Sequence, residues 1–172
     1  MSFDTQLAVG QLGESQIAMW LRRRGHHVLP VYEKERGQGV GPRIFAADGT
    51  RIVAPDMLTF HGHKATWVEA KHKEAFTWHR LTGRWVTGID LNHYAEYQRL
   101  LPLTKWPIWP LFLHRGGQAK DSPPSPSGLY GNTLHYLMDH ENHTHQNHGR
   151  HGMVYWAERD LKKLADYPLE AP

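Results

Sequence analysis

Apolar residues recur at helical spacing through residues 7–24, LAVGQLGESQIAMWLRRR, where Ile17, Ala18 and Leu21 fall three, four and seven positions after Glu14 and share its face. The segment ends on three arginines, which suit the negative end of a helix dipole, and Gly25 follows as a stop. A helix is predicted there. Beyond it the pattern changes. Residues 26–33, HHVLPVYE, read as a short strand, and EKERGQGVGPRIFAADGT as a basic, glycine-rich loop with a second short strand near 43–46. Residues 51–60 and 65–73 are strand-like, rich in β-branched and aromatic side chains around the sequence HGHK. A polar connection containing tryptophan, EAFTWHRLTGRWVTG, leads to residues 90–101, DLNHYAEYQRLL, predicted as a helix with Asp90 as N-cap and Pro102 as its end. WPIWPLFLHR reads as a strand kept short by Pro107 and Pro110. Residues 118–131, with SPPSPSG, and 139–152, with DHENHTHQNHG, read as irregular. MVYWA returns to strand character, and ERDLKKLADY reads as a short terminal helix.

The chain of 172 residues suits one domain spanning 1–172, with a loop-rich insertion at about 115–152. It contains no cysteine, which excludes disulfides and thiolate metal sites and favours a cytosolic setting. No signal-peptide pattern opens the chain, and no stretch approaches the roughly 18 apolar residues that cross a bilayer. A soluble, cytoplasmic protein with no membrane partner is expected. The formal charge is +3, and fourteen histidines add positive charge as pH falls, so a polyanionic partner is compatible with the composition.

The two strands at 51–60 and 65–73 place acids where a hairpin normally places apolar or paired groups. With Gly62-His63 as a type II′ turn, Phe60 faces Ala65, Leu58 faces Trp67 and Asp56 faces Glu69. Glu69 and Lys71 share a face, and directly opposed side chains have Cβ atoms about 4.5–5.5 Å apart. Two carboxylates and an ammonium then converge. Opposed acids repel, and burying them unpaired forces one to protonate or demands a positive partner. Lys71 brings one charge. A hard divalent cation with oxygen ligands would satisfy both acids and leave the lysine free. Glu14, an acid on the apolar stripe of the first helix, points to the same use. The plain alternatives are a solvated ion-pair ladder of Asp56 or Glu69 with Lys71 and Lys73, and a Glu14 that serves its own helix dipole or an arginine.

These residues resemble the PD-(D/E)XK nuclease superfamily. Pro55-Asp56 matches the PD and Glu69-Ala70-Lys71 the E-x-K, with twelve residues between the two acids, and Glu14 matches the upstream glutamate found on the first helix of many members. The resemblance covers roughly residues 7–101 and implies an α/β fold of restriction-endonuclease type, an αβββαβ core with a mixed sheet flanked by helices. It also implies cleavage of phosphodiesters that depends on Mg²⁺ or Mn²⁺. Asp56 and Glu69 would ligate the metal with the Ala70 carbonyl, Glu14 would bind it directly or through water, and Lys71 would orient or activate the attacking water. Tyr94 and Gln98 resemble the tyrosine and glutamine on the following helix of some exonuclease-like members, in a different order. Chemistry agrees, since a metal held by carboxylates makes a nucleophile at neutral pH and a lysine adds a fixed cation beside the phosphoryl oxygens.

Two other groupings compete for function. Lys73, Trp78, His79, Arg80, Arg84 and Trp85 follow the E-x-K strand and combine cations with rings, as phosphate contact and base stacking require; alternatively Phe76, Trp78 and Trp85 pack a core. His135, His140, His143, His145, His148 and His151 are irregularly spaced for zinc and read better as a solvated loop. The expectation is a Mg²⁺-dependent deoxyribonuclease acting on DNA, directed by structure more than by sequence, with room for a homodimer. The alternative is a non-catalytic nucleic-acid-binding module whose acids and lysine form a structural ion-pair network.

Overall fold

The computed structural model describes residues 3–31, 43–118, 122–149 and 151–169. In chain order these form α1 (Phe3–Arg23), β1 (His27–Pro30), β2 (Arg43–Phe45), β3 (Arg51–Val53), β4 (Met57–His61), β5 (Lys64–Lys73), β6 (Thr77–His79), β7 (Arg84–Asp90), α2 (Leu91–Thr104), β8 (Ile108–His114), β9 (Gly128–Gly131), α3 (Leu134–Met138), β10 (His143–His145), β11 (Met153–Ala157), a 3₁₀ turn at Glu158–Asp160 and β12 (Lys162–Ala165). Six strands make a mixed sheet in the order β1-β4-β5-β8-β9-β12, in which only β5 and β8 run parallel. A second, antiparallel sheet has the order β10-β11-β7-β6, and β2 pairs with β3.

The large sheet is covered on both faces. On one, Ile17, Trp20 and Leu21 of α1 pack on Met57, Val68, Ala70, Leu111, Leu113 and Leu129. On the other, Trp67, Phe112 and Tyr130 meet Tyr94, Tyr97 and Leu100 of α2, Leu134 and Leu137 of α3, and Ile89, Val154 and Trp156 of the second sheet. Each large apolar side chain buried in this way contributes roughly 1.5–3 kcal/mol, an upper bound for a chain whose unfolded state is partly compact. Alternation along β5 therefore turns Val68, Ala70 and His72 toward α1 and Trp67, Glu69, Lys71 and Lys73 toward α2. A link of two strands and a helix, β6, β7 and α2, carries the chain from β5 to its parallel neighbour β8. Among the described residues no helix is long and apolar enough to cross a membrane.

Several local expectations are corrected. The strand expected at 51–60 is broken at 54–56, where Pro55 has no amide and the Asp56 carbonyl accepts from Val31 N–H at 2.9 Å. The polar connection forms a hairpin of β6 and β7. Pro102 lies inside α2, near enough to its end that one missing amide is tolerated, and the helix stops at Lys105, whose φ of 56° lets its N–H reach the Leu101 carbonyl. β8 continues through Pro110 because the ladder to β9 begins only at Leu111, opposite Gly131, so the proline breaks no bond on that side. The expected surface insertion at 115–152 supplies a core strand: all four residues of β9 are buried, and a Cβ on Gly131 would lie 2.6 Å from Leu111 Cδ2 and 2.7 Å from the Pro110 carbonyl. The histidine-rich stretch holds β10, and the expected terminal helix is a 3₁₀ turn followed by the edge strand β12, whose exposed Lys162 and Lys163 discourage further strand pairing. Residues 32–33 of the first predicted strand and most of the glycine-rich loop lie outside the described residues.

Candidate active site

Gly62 opens the turn between β4 and β5 with a φ of 58°, and the ladder pairs Phe60 with Ala65, Leu58 with Trp67 and Met57 with Val68. This is the register the turn type sets. Asp56 stands one residue before β4, outside the ladder, and it does not simply face Glu69 as a cross-strand partner. Its Oδ2 instead accepts the Ala70 N–H at 2.9 Å, which fixes the carboxylate beside the Glu69-Ala70 peptide. Because the ladder ends at Met57 and Val68, the Ala70 carbonyl also lies beyond it on the Asp56 edge.

Glu69 is 1% exposed. Its Oε1 pairs with Lys71 Nζ and lies 3.8 Å from His93 Nδ1, and its Oε2 accepts from Tyr97 Oη at 2.5 Å. Burial favours the neutral acid, but the Lys71 charge, reinforced by His93 and by the bonds from Lys71 and Tyr97, holds Glu69 below the usual carboxylate range. Asp56 goes the other way. Burial and the Glu69 charge push its pKa up to about 8 against the opposing pull of Lys71 and the Ala70 amide. Lys71 loses solvation, yet the charges of Glu69, Asp56 and Glu14 more than offset this and raise its pKa, so it is a firm cation. Lys73 is lowered by burial and by Lys71, with Asp90 opposing.

Glu14 reaches this group from α1, and its charge is felt by both Asp56 and Lys71. The approach depends on Gly13: a Cβ there would lie 2.3 Å from His72 Cβ on β5. Among the described residues no three His, Cys, Asp or Glu side chains stand close enough together to hold an ion by themselves. The oxygen donors brought together here are the charge-coupled carboxylates of Asp56 and Glu69, with the Ala70 carbonyl on the strand edge that Asp56 caps, beside one ion-paired lysine. Mg²⁺ characteristically takes one or two carboxylates and keeps several waters, so the donor set fits such an ion with Glu14 acting through water.

No family model matches the chain, and no curated protein does either. Among solved structures it is similar to a Holliday junction resolvase, Hjc, from the archaeal hyperthermophile Archaeoglobus fulgidus, with 10% identity over 88% of this chain and 90% of that one and a TM-score of 0.52. The likeness shows the fold. The expected α/β architecture of restriction-endonuclease type, with a mixed sheet between helices, is therefore the observed one.

Within this fold the helix after β7 brings further side chains to the site. Tyr94 is buried against Trp156 and donates to Glu141, and the half-buried Gln98 bonds to Tyr94. Tyr97 and His93 face Glu69 instead. One residue along a helix turns the side chain by about 100°, and periodicity marks Tyr94, Tyr97 and Leu100 alike as buried without saying which hydroxyl meets the acid. Lys73 shares the Glu69 face of β5. Phe76 belongs to the core, and Trp78 packs edge-on against Trp85 at 4.9 Å. Arg84 and both tryptophans line a recess of about 210 Å³, Arg80 is exposed in the turn after β6, and the His79 ring stacks on His143 at 4.2 Å.

Proposed function

We propose that the protein is a metal-dependent nuclease that hydrolyses DNA phosphodiester bonds, with 1–172 as one nuclease domain. The observation that carries this reading is the pair of charge-coupled carboxylates, Asp56 and Glu69, beside a lysine that stays charged. Asp56, Glu69 and Ala70 would hold Mg²⁺ or Mn²⁺, and Glu14 would reach it through water. When bound, the ion makes water acidic enough to attack at neutral pH and draws charge from the phosphoryl oxygens. Lys71, anchored by Glu69 and raised in pKa, stabilises charge as a cation and orients the incoming water; it does not serve as a base. Tyr97 fixes Glu69 from the other side, and such partners of ligating groups normally matter about 10–100-fold. The mixed αβ scaffold shared with a Holliday junction resolvase supports cutting directed by DNA structure.

A second reading is a non-catalytic DNA-binding module, favoured by the direct Glu69–Lys71 ion pair, which closes the two groups on each other. The two separate on one experiment. Purified protein is incubated with single-stranded, duplex, flapped and branched DNA in Mg²⁺, Mn²⁺ or EDTA beside Lys71→Ala. Cutting that requires the ion and is lost in a folded Lys71→Ala variant is expected; binding without cutting in either protein would make the acids and the lysine structural.

A further inference from the structure

Beyond the motif residues, the second sheet carries an uninterrupted row of aromatic rings on the face opposite its core side. Trp156, Val154 and Ile89 point into the core, so alternation places Tyr155, Gly88 and His143 on the other face, where Tyr155 is buried beneath the histidines. The rings of His79 on β6, His143 on β10 and Tyr155 on β11 lie nearly parallel, with centroids 4.2 Å apart in the first pair and 4.7 Å in the second. His148 meets Tyr155 edge-on at 5.9 Å, and its other neighbour, His145, stacks on it at 3.6 Å. Gly88, the register partner of Tyr155, leaves room for the row: a Cβ there would sit 3.1 Å from Tyr155 Cδ1 and 1.9 Å from the Val154 carbonyl.

The row leads toward the candidate active site. Asp90 lies two positions along β7 from Gly88, pairs in register with Met153, and influences both Lys73 and Tyr97. Gly149, next to His148, is the residue over which Asp90 Oδ1 and Met153 Sδ close, at 3.9 and 3.6 Å from its ideal Cβ. Four histidines at this spacing do not form a metal group. What they offer is a set of stacked rings whose outer N–H edges gain charge as pH falls.

We propose that the histidines of this row, stacked over Tyr155, are a binding surface for a nucleic-acid strand that continues from the candidate active site, its grip tightened by protonation. The proposal rests on the nuclease reading for its partner. His145 and His148 are exposed and His79 and His143 partly so, as edges that contact phosphates require. Nδ1 of His143 is bound to Asn142 Oδ1 at 2.7 Å, which leaves Nε2 as the titrating atom, and Nδ1 of His79 and of His148 lie 2.7 Å from Thr82 Oγ1 and 2.9 Å from Tyr155 Oη. The other groups facing the row set its sign. Arg84 is paired in register with His79 and adds a cation, Asp90 is the acid at the cleft end, Tyr155 is neutral, and the nearby Glu141 carboxylate is taken by Tyr94. Crowded histidines resist joint protonation, and a phosphate bridging them removes that cost, so DNA and protons bind together.

The test is binding of a fluorescent single-stranded oligonucleotide in EDTA, followed by anisotropy at pH 6.0 and 8.0 over a salt series. The intact protein is expected to bind several-fold more tightly at pH 6.0. The double variant His145→Ala/His148→Ala, both exposed, is expected to lose that gain and to lower the salt slope at pH 6.0 by roughly 0.7 for each phosphate contact removed, with a smaller loss of binding at pH 8.0. His79→Ala, from another strand, should act in the same direction. An equal pH gain in all three proteins, or no binding by the intact protein, overturns the proposal. Because EDTA blocks ion-dependent cutting, loss of the pH gain in a protein that never cuts would sink the nuclease reading alone, whereas cutting with an unaltered pH gain in the variants would sink this one alone.

Discussion

Lys71 and Tyr97 hold Glu69 from opposite sides, and the two contacts act differently. The lysine supplies charge that lets a carboxylate stay ionised at 1% exposure, while the tyrosine supplies a neutral donor that fixes which way the carboxylate points. Tyr97→Phe keeps the ring in its place between Glu69 and the core and removes only the donor. It is expected to cut DNA about 10–100-fold more slowly, with part of the loss recovered at higher Mg²⁺ or Mn²⁺. Cleavage rates against ion concentration check this: an unchanged curve would show that Glu69 needs no help from α2.

At the scale of elements, the closeness of α1 to β5 is the device that brings Glu14 to the site. Glycine in the middle of a helix normally costs about 0.5–1 kcal/mol relative to alanine, so Gly13→Ala would stabilise a free helix. Here the added Cβ would stand 2.3 Å from His72 Cβ, far inside contact distance, and the helix must move. Gly13→Ala is therefore expected to lose roughly 1–3 kcal/mol, the usual cost of overpacking, and to lower cleavage as Glu14 retreats. Urea unfolding beside a cleavage assay measures both; a variant as stable and as active as the parent would mean that α1 approaches the sheet differently. The link from β5 to β8 works in the same way, since its helix α2 is what lays Tyr97 and His93 over Glu69.

For the whole molecule, the crowded acids make stability depend on pH and, on the proposed function, on bound ions as well. In the folded protein Asp56 keeps its proton up to about pH 8, whereas in the unfolded chain it releases it near 3.8. Between these values the folded state binds more protons, so the Asp56 contribution is complete below the lower value and is lost as pH rises through the upper one. Thermal unfolding in EDTA should show Asp56→Asn gaining stability over the parent as pH is raised toward 8. Mg²⁺ or Mn²⁺ at pH 8 should raise the parent's melting temperature, by about 2.7 kcal/mol of stability at 100 times the dissociation constant, and the variant's much less. A parent and a variant whose melting curves shift alike with pH and ion would remove Asp56 from the ion site.

The sequence by itself determined the hairpin and its chemistry. Gly62-His63 fixed the register, the period of two put Glu69 and Lys71 on one face, and Pro55-Asp56 with Glu69-Ala70-Lys71 carried the resemblance whose fold the chain has. These are short-range facts, settled within a turn or along one strand. Tertiary structure decided the rest. That Asp56 reaches Ala70 N–H and does not pair in the ladder depends on where β4 begins, and the choice of Tyr97 over Tyr94 depends on how α2 rotates against the sheet. Gly128–Gly131 becomes a central strand although it has almost no strand composition, because small residues are what the close packing on Leu111 and Pro110 admits. The histidines of 139–152 read as a solvated loop in one dimension; pairing β10 with β11 is what stacks them on Tyr155 and His79. Local pattern reports which side chains are buried or paired within an element, and only packing between elements decides which of them meet.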